Sequence, residues 1–580
     1  MTTHAPAQPI AQPAHGFADK LQMQSRLFAE LSRMFGREAP LYDKSLLVNR
    51  VCNRAVCDLL AQRHQGFSIT DDEIDAVSGE RHGAVRIGRP DEFRWVGRFF
   101  AAFAMEPHDY YDMTIVGARS QPVVATAFRS VLDPDHRVFC SLLQTDYFDP
   151  ATRARIEGLL ARRQVFSDNA KRLIEKGERQ GGLDHADADA LIREGADRIF
   201  KWTGRAADHT LYTDLCASGF KIAADIACFE RHHLNHLTPN TFCMDLYTAA
   251  MKFCMGEMDE PTFRLRAERS LARVLRAGDA DFLRLNFKRL ARERIDAYQP
   301  AEPPAGAAAL QVDALVARLR QDDLALHRMK HAGFKDFTEG PSEDTPVLLR
   351  QDAYKALTEP VTFVNDDGTT VEAEHTARFG EIEQRFYATT PKGRELFDRC
   401  LAEADAAREK DPGLPRRDFD AYESLYAAPF RAFPKSLPEL LRQGLVYGRY
   451  SPTAQGIAAR GTITTTDIHE LVCAGHARQE GLRYEDFLPV SAAGIFASNL
   501  NQYGTRSTAA AKPVYTRKAL EDILGRPTID SEAVYRAVEA ESLLHVYERL
   551  GLMDRLPPER RAALKNDAEA LAGVPGVQGR

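Results

Sequence analysis

Residues 231–240 read RHHLNHLTPN and bring His232, His233 and His236 into five positions ahead of a proline. Imidazole is the commonest metal ligand among side chains, so metal binding is the first chemistry this stretch suggests. A zinc protease would need two histidines four apart with a glutamate between them, and the sequence has no HExxH. If HHLNHL is extended, side chains alternate, so His232, Leu234 and His236 share one face and His233 takes the other. His236 is then the natural ligand, and His232 and His233 are supporting or solvent-facing. His327 and His331 in HRMKH stand at helical metal-pair spacing, but Arg328 and Lys330 between them would repel a cation.

Two other stretches carry matching chemistry. In GERHGAVRIG, His82 enters a strand-like run and Arg86 lies on the same face, about 13 Å along by strand rise. An imidazole there suits a metal, and a guanidinium fork suits a carboxylate, which it binds through two parallel hydrogen bonds. The plainer reading of Arg86 is an ion pair with Glu80 or a neighbouring strand. In FGEIEQRF, Glu381 and Glu383 share one strand face with Arg385 beside them. Buried carboxylates are costly unless paired or metal-bound. Two histidines and one carboxylate on separate strands would form the facial triad of non-haem iron(II) oxygenases, which leaves positions open for substrate and oxygen. Periodicity does not choose between Glu381 and Glu383.

The elements that must position these residues alternate along the chain. FADKLQMQSRLFAELSRMFG and DKSLLVNRVCNRAVCDLLAQRH repeat apolar residues at helical spacing and form an entry layer. HGAVRIG, YYDMTIVG and QPVVATAFRSVL are short, β-branched and aromatic, and bounded by Gly or Pro, as strands are. Residues 151–205 return to helical periodicity. A second strand block runs through TPVLLRQDAYKAL, EPVTFVNDDGTTVEAEH, where Asp-Asp-Gly marks a hairpin turn, and ARFGEIEQRFYATT. Between the blocks, SLARVLRAGDADFLRLNFKRLARERI reads as packed helices with solvated arginine faces rather than an RNA-binding surface. The expected organisation is a disordered tail over 1–16, a catalytic domain in two parts over 17–242 and 311–515, a helical insertion over 243–310, and C-terminal helices with a disordered end over 516–580.

Composition narrows the class. Lys and Arg number 76 against 83 Asp and Glu, a formal net charge of −7, which argues against a nucleic-acid partner. No apolar run is long enough to span a membrane, and the start does not read as a secretory signal. The nine cysteines are scattered and never spaced CxxC, as expected of reduced thiols in a cytoplasm.

The blocks SGERHGAVRIG, YYDMTIVGA, TAFRSVL, HLNHLTP, VLLRQDAYKAL, HTARFGEIEQRF, TPKGRELFD and YEDFLPVSAAGIFASNL occur in this order. Together they resemble the 2-oxoadipate dioxygenase/decarboxylase family, also called hydroxyglutarate synthase, over most of the chain outside the tail and insertion. The resemblance implies an α+β fold: a vicinal-oxygen-chelate-like curved sheet, or partial barrel, in which βαβββ units wrap a metal. It implies iron(II) held by His82, His236 and Glu383, where Glu383 is chosen over Glu381 by alignment alone. Arg86 would bind a substrate carboxylate, and Val490 with Ser491 would line the rest of the pocket, Arg86 and Ser491 serving catalysis by holding the diacid. The implied reaction consumes a small 2-oxo diacid and O2, turning 2-oxoadipate into 2-hydroxyglutarate and CO2, as in lysine breakdown. No external 2-oxoglutarate is required, because the substrate carries its own 2-oxo acid.

The sequence departs from the family pattern in two places. The 243–310 segment follows HLNHLTPNT directly and is longer than in the bacterial enzymes, and Asn240 stands where a basic residue is expected. Both bear on substrate range and on whether the protein forms a homo-oligomer. Three rivals stay open: the same metal centre acting on another 2-oxo acid, a zinc or nickel lyase of glyoxalase type, and a non-catalytic metal-binding protein.

Overall fold

The computed structural model describes residues 16–116, 120–488, 506–510, 513–570 and 572. Two helices open the fold, α1 (Lys20–Glu38) and α2 (Pro40–Arg63). Asp19 caps α1 by accepting the Gln22 amide at 2.8 Å, and Pro40 starts α2 at the one helical position where a missing N–H costs nothing. The apolar spacing read from the sequence becomes two buried stripes. Leu27, Phe28, Leu31 and Phe35 of α1 pack on one core, and Val48, Cys52, Val56 and Leu60 of α2 on another.

The centre of the molecule is a curved seven-stranded sheet of half-barrel form. Its strands in chain order are β1 (Arg81–Ile87), β2 (Glu106–Asp112), β3 (Val123–Arg129), β4 (His136–Leu143), β5 (His236–Pro239), β6 (Leu349–Ala353) and β7 (Phe379–Arg385). Helix α3 (Pro90–Ala101) follows β1, and the spatial order is β2-β3-β4-β1-β5-β7-β6. β1 runs parallel to β4 and antiparallel to β5, and β5 runs parallel to β7. The β1-α3-β2-β3-β4 run is a βαβββ unit, and β5, β6 and β7 extend its sheet. This is the vicinal-oxygen-chelate-like curved sheet that the family resemblance implied.

Both faces of the sheet are covered, so its strands read as nearly continuous buried runs. On β1, Val85 and Ile87 turn to the core shared with α1 and α3, while His82, Ala84 and Arg86 line the other face. Register carries that second face across the sheet. His82 pairs with Arg137 on β4 and Thr238 on β5, Ala84 with Phe139 and His236, and Arg86 with Ser141.

Three local expectations change. YYDMTIVG is not one strand: β2 ends at Asp112 and a 3-10 turn, Met113–Ile115, follows. HHLNHL is not extended throughout, since β5 begins only at His236. The Asp-Asp-Gly hairpin forms, with Val364 opposite Thr370 and Gly368 at φ +80°, but its strands join Arg205–Ala207 in a separate three-stranded sheet. The 243–310 stretch carries four helices, Met244–Cys254, Glu260–Ala277, Ala280–Asn286 and Arg292–Ala297. Their apolar residues Phe263, Leu271 and Leu283, with Phe287 just after the third helix, share one core with α2.

Gly380 precedes Glu381 on β7, and a Cβ there would lie 2.3 Å from the Tyr354 ring, itself buried. Gly380→Ala is therefore expected to cost about 1–3 kcal/mol of stability, read as a lower urea midpoint, whereas an unchanged midpoint would mean that the β6–β7 pairing is looser than described.

Candidate metal centre

Three strands bring three donor atoms together. His82 on β1 and Thr238 on β5 sit opposite each other, and His236 lies beside Phe379 at the start of β7. Two residues on, Glu381 reaches the same point. Its Oε2 lies 3.3 Å from His82 Nε2 and 3.5 Å from His236 Nε2, and the three side chains offer donor atoms that all fall within 4.8 Å of one another. All three residues are buried. Among the described residues this is the one such convergence of His, Cys, Asp and Glu groups; His327 lies exposed in a 3-10 turn away from any of them.

The donor set fits a cation. Thr238 Oγ1 donates to Glu381 Oε2 at 3.0 Å, yet Glu381 Oε1 and both ring nitrogens of His236 have no hydrogen-bond partner. Buried polar atoms are nearly always satisfied, so an orphaned His236 nitrogen beside an orphaned Glu381 oxygen calls for a ligand. Burial holds the His236 pKa down to about 4, so the ring is neutral and its lone pair available. The Glu381 carboxyl is raised by burial, but His236 and His82 outweigh that and keep it ionised.

Glu383, the expected ligand, takes a different place. Its Oε2 is 2.9 Å from Nδ1 of His82, on the side of the ring away from Glu381. Glutamates two apart on a strand are separated by about 6–7 Å, a gap that an imidazole spans with one nitrogen toward each. The carboxylate that the structure groups with the two imidazoles is Glu381, whereas Glu383, the ligand implied by the resemblance, faces the other side of His82. Arg385 Nε donates to Glu383 Oε1 at 2.8 Å, and Arg385 Nη1 donates to the carbonyls of Tyr484 and Asp486 at 3.1 and 2.8 Å. Burial pushes the Glu383 carboxyl up, but Arg385 and then His82 hold it far below the usual carboxylate range. For His82 burial lowers the pKa, and Glu383 and Glu381 more than reverse it. A carboxylate behind a ligating histidine fixes its tautomer and orientation.

Arg86 lies on the same sheet face as His82. Its Nη1 donates to Asp225 Oδ2 at 2.7 Å, so among the described residues its acidic partner is Asp225 of α4 (Lys221–Cys228). From Arg86 toward the sheet edge the register row runs through the small Ser141 and Ala125 to Tyr111, and the neighbouring row from Ala84 runs through Phe139 and Ala127 to His108. Phe487 closes on His82 edge-to-face at 5.2 Å and on Phe139 at 5.5 Å. Val490 and Ser491 lie outside the described residues.

The other two histidines of the first motif are both buried, so neither faces solvent. His232 Nε2 is 3.1 Å from Glu92 Oε2, which also accepts from Arg163, and His233 Nε2 is 3.2 Å from Asp225 Oδ1. Residue types and spacing did not single out Asp225, although it is a lone acidic residue within the apolar KIAADIAC, and that isolated charge was the available signal.

A curved sheet built on a βαβββ unit, with two histidines and a glutamate converging on one face, makes a possible metal site on a mixed α/β half-barrel fold. Comparison with known proteins agrees. The family model described as 2-oxoadipate dioxygenase/decarboxylase matches residues 27–259 and 306–499. A 2-oxoadipate dioxygenase/decarboxylase of Pseudomonas putida is 34% identical over 558 residues, covering 93% of this chain and 99% of its own length. One from Escherichia coli is 31% identical over 531 residues, covering 90% and 97%. The crystal structure of hydroxyglutarate synthase from Pseudomonas putida in complex with 2-oxoadipate superposes with a TM-score of 0.64 at 32% identity, covering 93% of this chain and all of that one. The chain belongs to the 2-oxoadipate dioxygenase/decarboxylase family and is an oxidoreductase.

Removing either glutamate should separate their roles. Glu381→Ala should abolish stoichiometric binding of ferrous iron in anaerobic titration, while Glu383→Ala should weaken it by about 10–100-fold; the reverse order would return the ligand role to Glu383. The metal-stripped protein should lose stability in urea as pH falls from 7 to 5. His236, with a pKa of about 4, and His108 and His136, each held by burial at about 3, stay neutral when folded but take up protons when unfolded, by up to about 2 kcal/mol each. His82, whose pKa is raised, acts with the opposite sign: its contribution is present below the unfolded value and is lost as pH rises. A midpoint that rises on acidification would contradict the neutral assignment.

Proposed function

We propose that this chain is an iron(II)-dependent dioxygenase that converts 2-oxoadipate and O2 into 2-hydroxyglutarate and CO2, a reaction suited to lysine breakdown in the cytoplasm. The observation that carries the reading is the convergence of His82, His236 and Glu381 with unpartnered His236 Nε2 and Glu381 Oε1, on the same sheet face as a buried arginine. Iron(II) held by these three groups would supply open positions for chelation of a 2-oxo acid and for activation of dioxygen.

The chain's own residues do the rest. Glu383, clamped by Arg385, fixes His82 so that Nε2 is turned toward Glu381 and the metal point. Thr238 holds Glu381 in place by donating to Oε2. Arg86 receives the far carboxylate of the diacid, and the carbon chain lies beside the small Ser141 and Ala125 of the Arg86 register row. Phe487 and Phe139 keep water from the reacting end, which strengthens every electrostatic contact there. Val490 and Ser491 complete the diacid pocket in this reading. Holding the chain in one pose contributes several kcal/mol to lowering the barrier.

Anaerobically purified protein loaded with iron(II) should consume one O2 per 2-oxoadipate and release 2-hydroxyglutarate and CO2. Absence of oxygen uptake with every 2-oxo diacid would overturn the reading and favour a lyase. Arg86→Ala should raise KM for 2-oxoadipate by at least about tenfold while iron binding survives; loss of iron instead would make Arg86 structural.

A further inference from the structure

We infer that Asp225 is a positioning residue that fixes Arg86 for the far carboxylate of the substrate, and that residues 233–236 tie this post to the metal ligand His236. The inference rests on the reading of Arg86 given above and deepens it to substrate selection.

Asp225 is 2% exposed, and each of its oxygens lies within 3.3 Å of a side-chain nitrogen. Oδ2 accepts from Arg86 Nη1 at 2.7 Å and from Asn235 Nδ2 at 3.1 Å. Oδ1 lies 3.2 Å from His233 Nε2 and 3.3 Å from His375 Nε2. His375 is held in turn through Nδ1, 2.8 Å from the Tyr212 hydroxyl. Four groups from β1, the 233–235 turn and the Thr370–Thr376 strand thus surround one carboxylate on α4. Neither the metal nor the sheet core requires so elaborate a setting, and the one charged partner it serves is Arg86.

A buried guanidinium needs a fixed counter-charge, since removing one member of such a pair leaves an uncompensated charge. Held along one edge by Asp225, the Arg86 fork keeps a single direction. The same short stretch sets the other end of the measure. Asn235 donates its side chain to Asp225, its backbone N–H donates to Ala84 of β1, and its carbonyl accepts from Phe379 of β7. The next residue is His236. The separation between the metal point and the guanidinium is therefore built into one turn pinned between two strands, and that separation selects the chain length between a 2-oxo group and a distant carboxylate.

The test compares 2-oxoadipate with 2-oxohexanoate, which has the same chain length without the far carboxylate. The selectivity ratio is the Ki for 2-oxohexanoate as a competitor divided by the KM for 2-oxoadipate, measured on iron-loaded enzyme with metal content checked. Asp225→Asn should raise KM for 2-oxoadipate about tenfold with kcat changed by less than about threefold and the Ki for 2-oxohexanoate nearly constant, so the ratio collapses. His233→Asn, which leaves the carboxylate in place, should move the ratio in the same direction by less, and it serves if Asp225→Asn fails to fold. Equal weakening of both compounds, or no change in the ratio, would overturn the inference. If Arg86→Ala collapses the ratio and Asp225→Asn does not, the positioning role alone fails; if Arg86→Ala leaves it unchanged, the reading of Arg86 fails with it.

Discussion

Two glutamates on one strand face, both fully buried, form the constraint around which the rest is arranged. A carboxylate taken out of water without compensation is strongly unfavourable, and β7 presents two of them, Glu381 and Glu383, toward the same side. The molecule answers with one imidazole between them. His82 turns Nε2 to Glu381 and Nδ1 to Glu383, and Arg385 then neutralises the outer glutamate while His236 and Thr238 address the inner one. The outcome is asymmetric. Glu383 is paired with Arg385 and faces His82 Nδ1 at ion-pair distance, whereas Glu381 keeps an oxygen without a hydrogen bond beside an imidazole nitrogen of His236 that also has none, a grouping that could hold a divalent cation.

The sheet makes that arrangement geometrically inevitable once register is set. With His82 opposite Thr238 and Ala84 opposite His236, the two imidazoles come from adjacent strands, and the parallel pairing of β5 with β7 delivers Glu381 beside them. The same rows place Arg86 next to the small Ser141 and Ala125 on that face. Around this core the segment that the family model leaves unmatched, 260–305, is packed rather than loose. Phe263, Leu283 and Phe287 are fully buried, and Lys288 Nζ donates to the Pro134 carbonyl at 2.6 Å, just ahead of β4.

Much of this is legible from residue types and spacing. His82, Arg86 and His236 stand out because each is a chemically capable group on a strand-like run, and alternation places His82 and Arg86 on one face. The glutamate does not follow from periodicity, because Glu381 and Glu383 share a face and the discriminator is the rotamer of His82, contributed from 299 residues away. Likewise, the hairpin at Asp366-Asp367-Gly368 is readable from turn chemistry, but its membership of a second sheet depends on its pairing with Arg205–Ala207. The partners of His232 and His233, Glu92 and Asp225, are tertiary facts that no local pattern encodes.

The most direct measurement is the fate of molecular oxygen. Single-turnover reaction of the iron-loaded protein with 2-oxoadipate under 18O2, followed by mass spectrometry of the product, should find one labelled atom in the new carboxylate of 2-hydroxyglutarate and one in its hydroxyl group. Product that carries no label, or 2-oxoadipate converted without oxygen, would contradict the assignment of a dioxygenase to this metal centre.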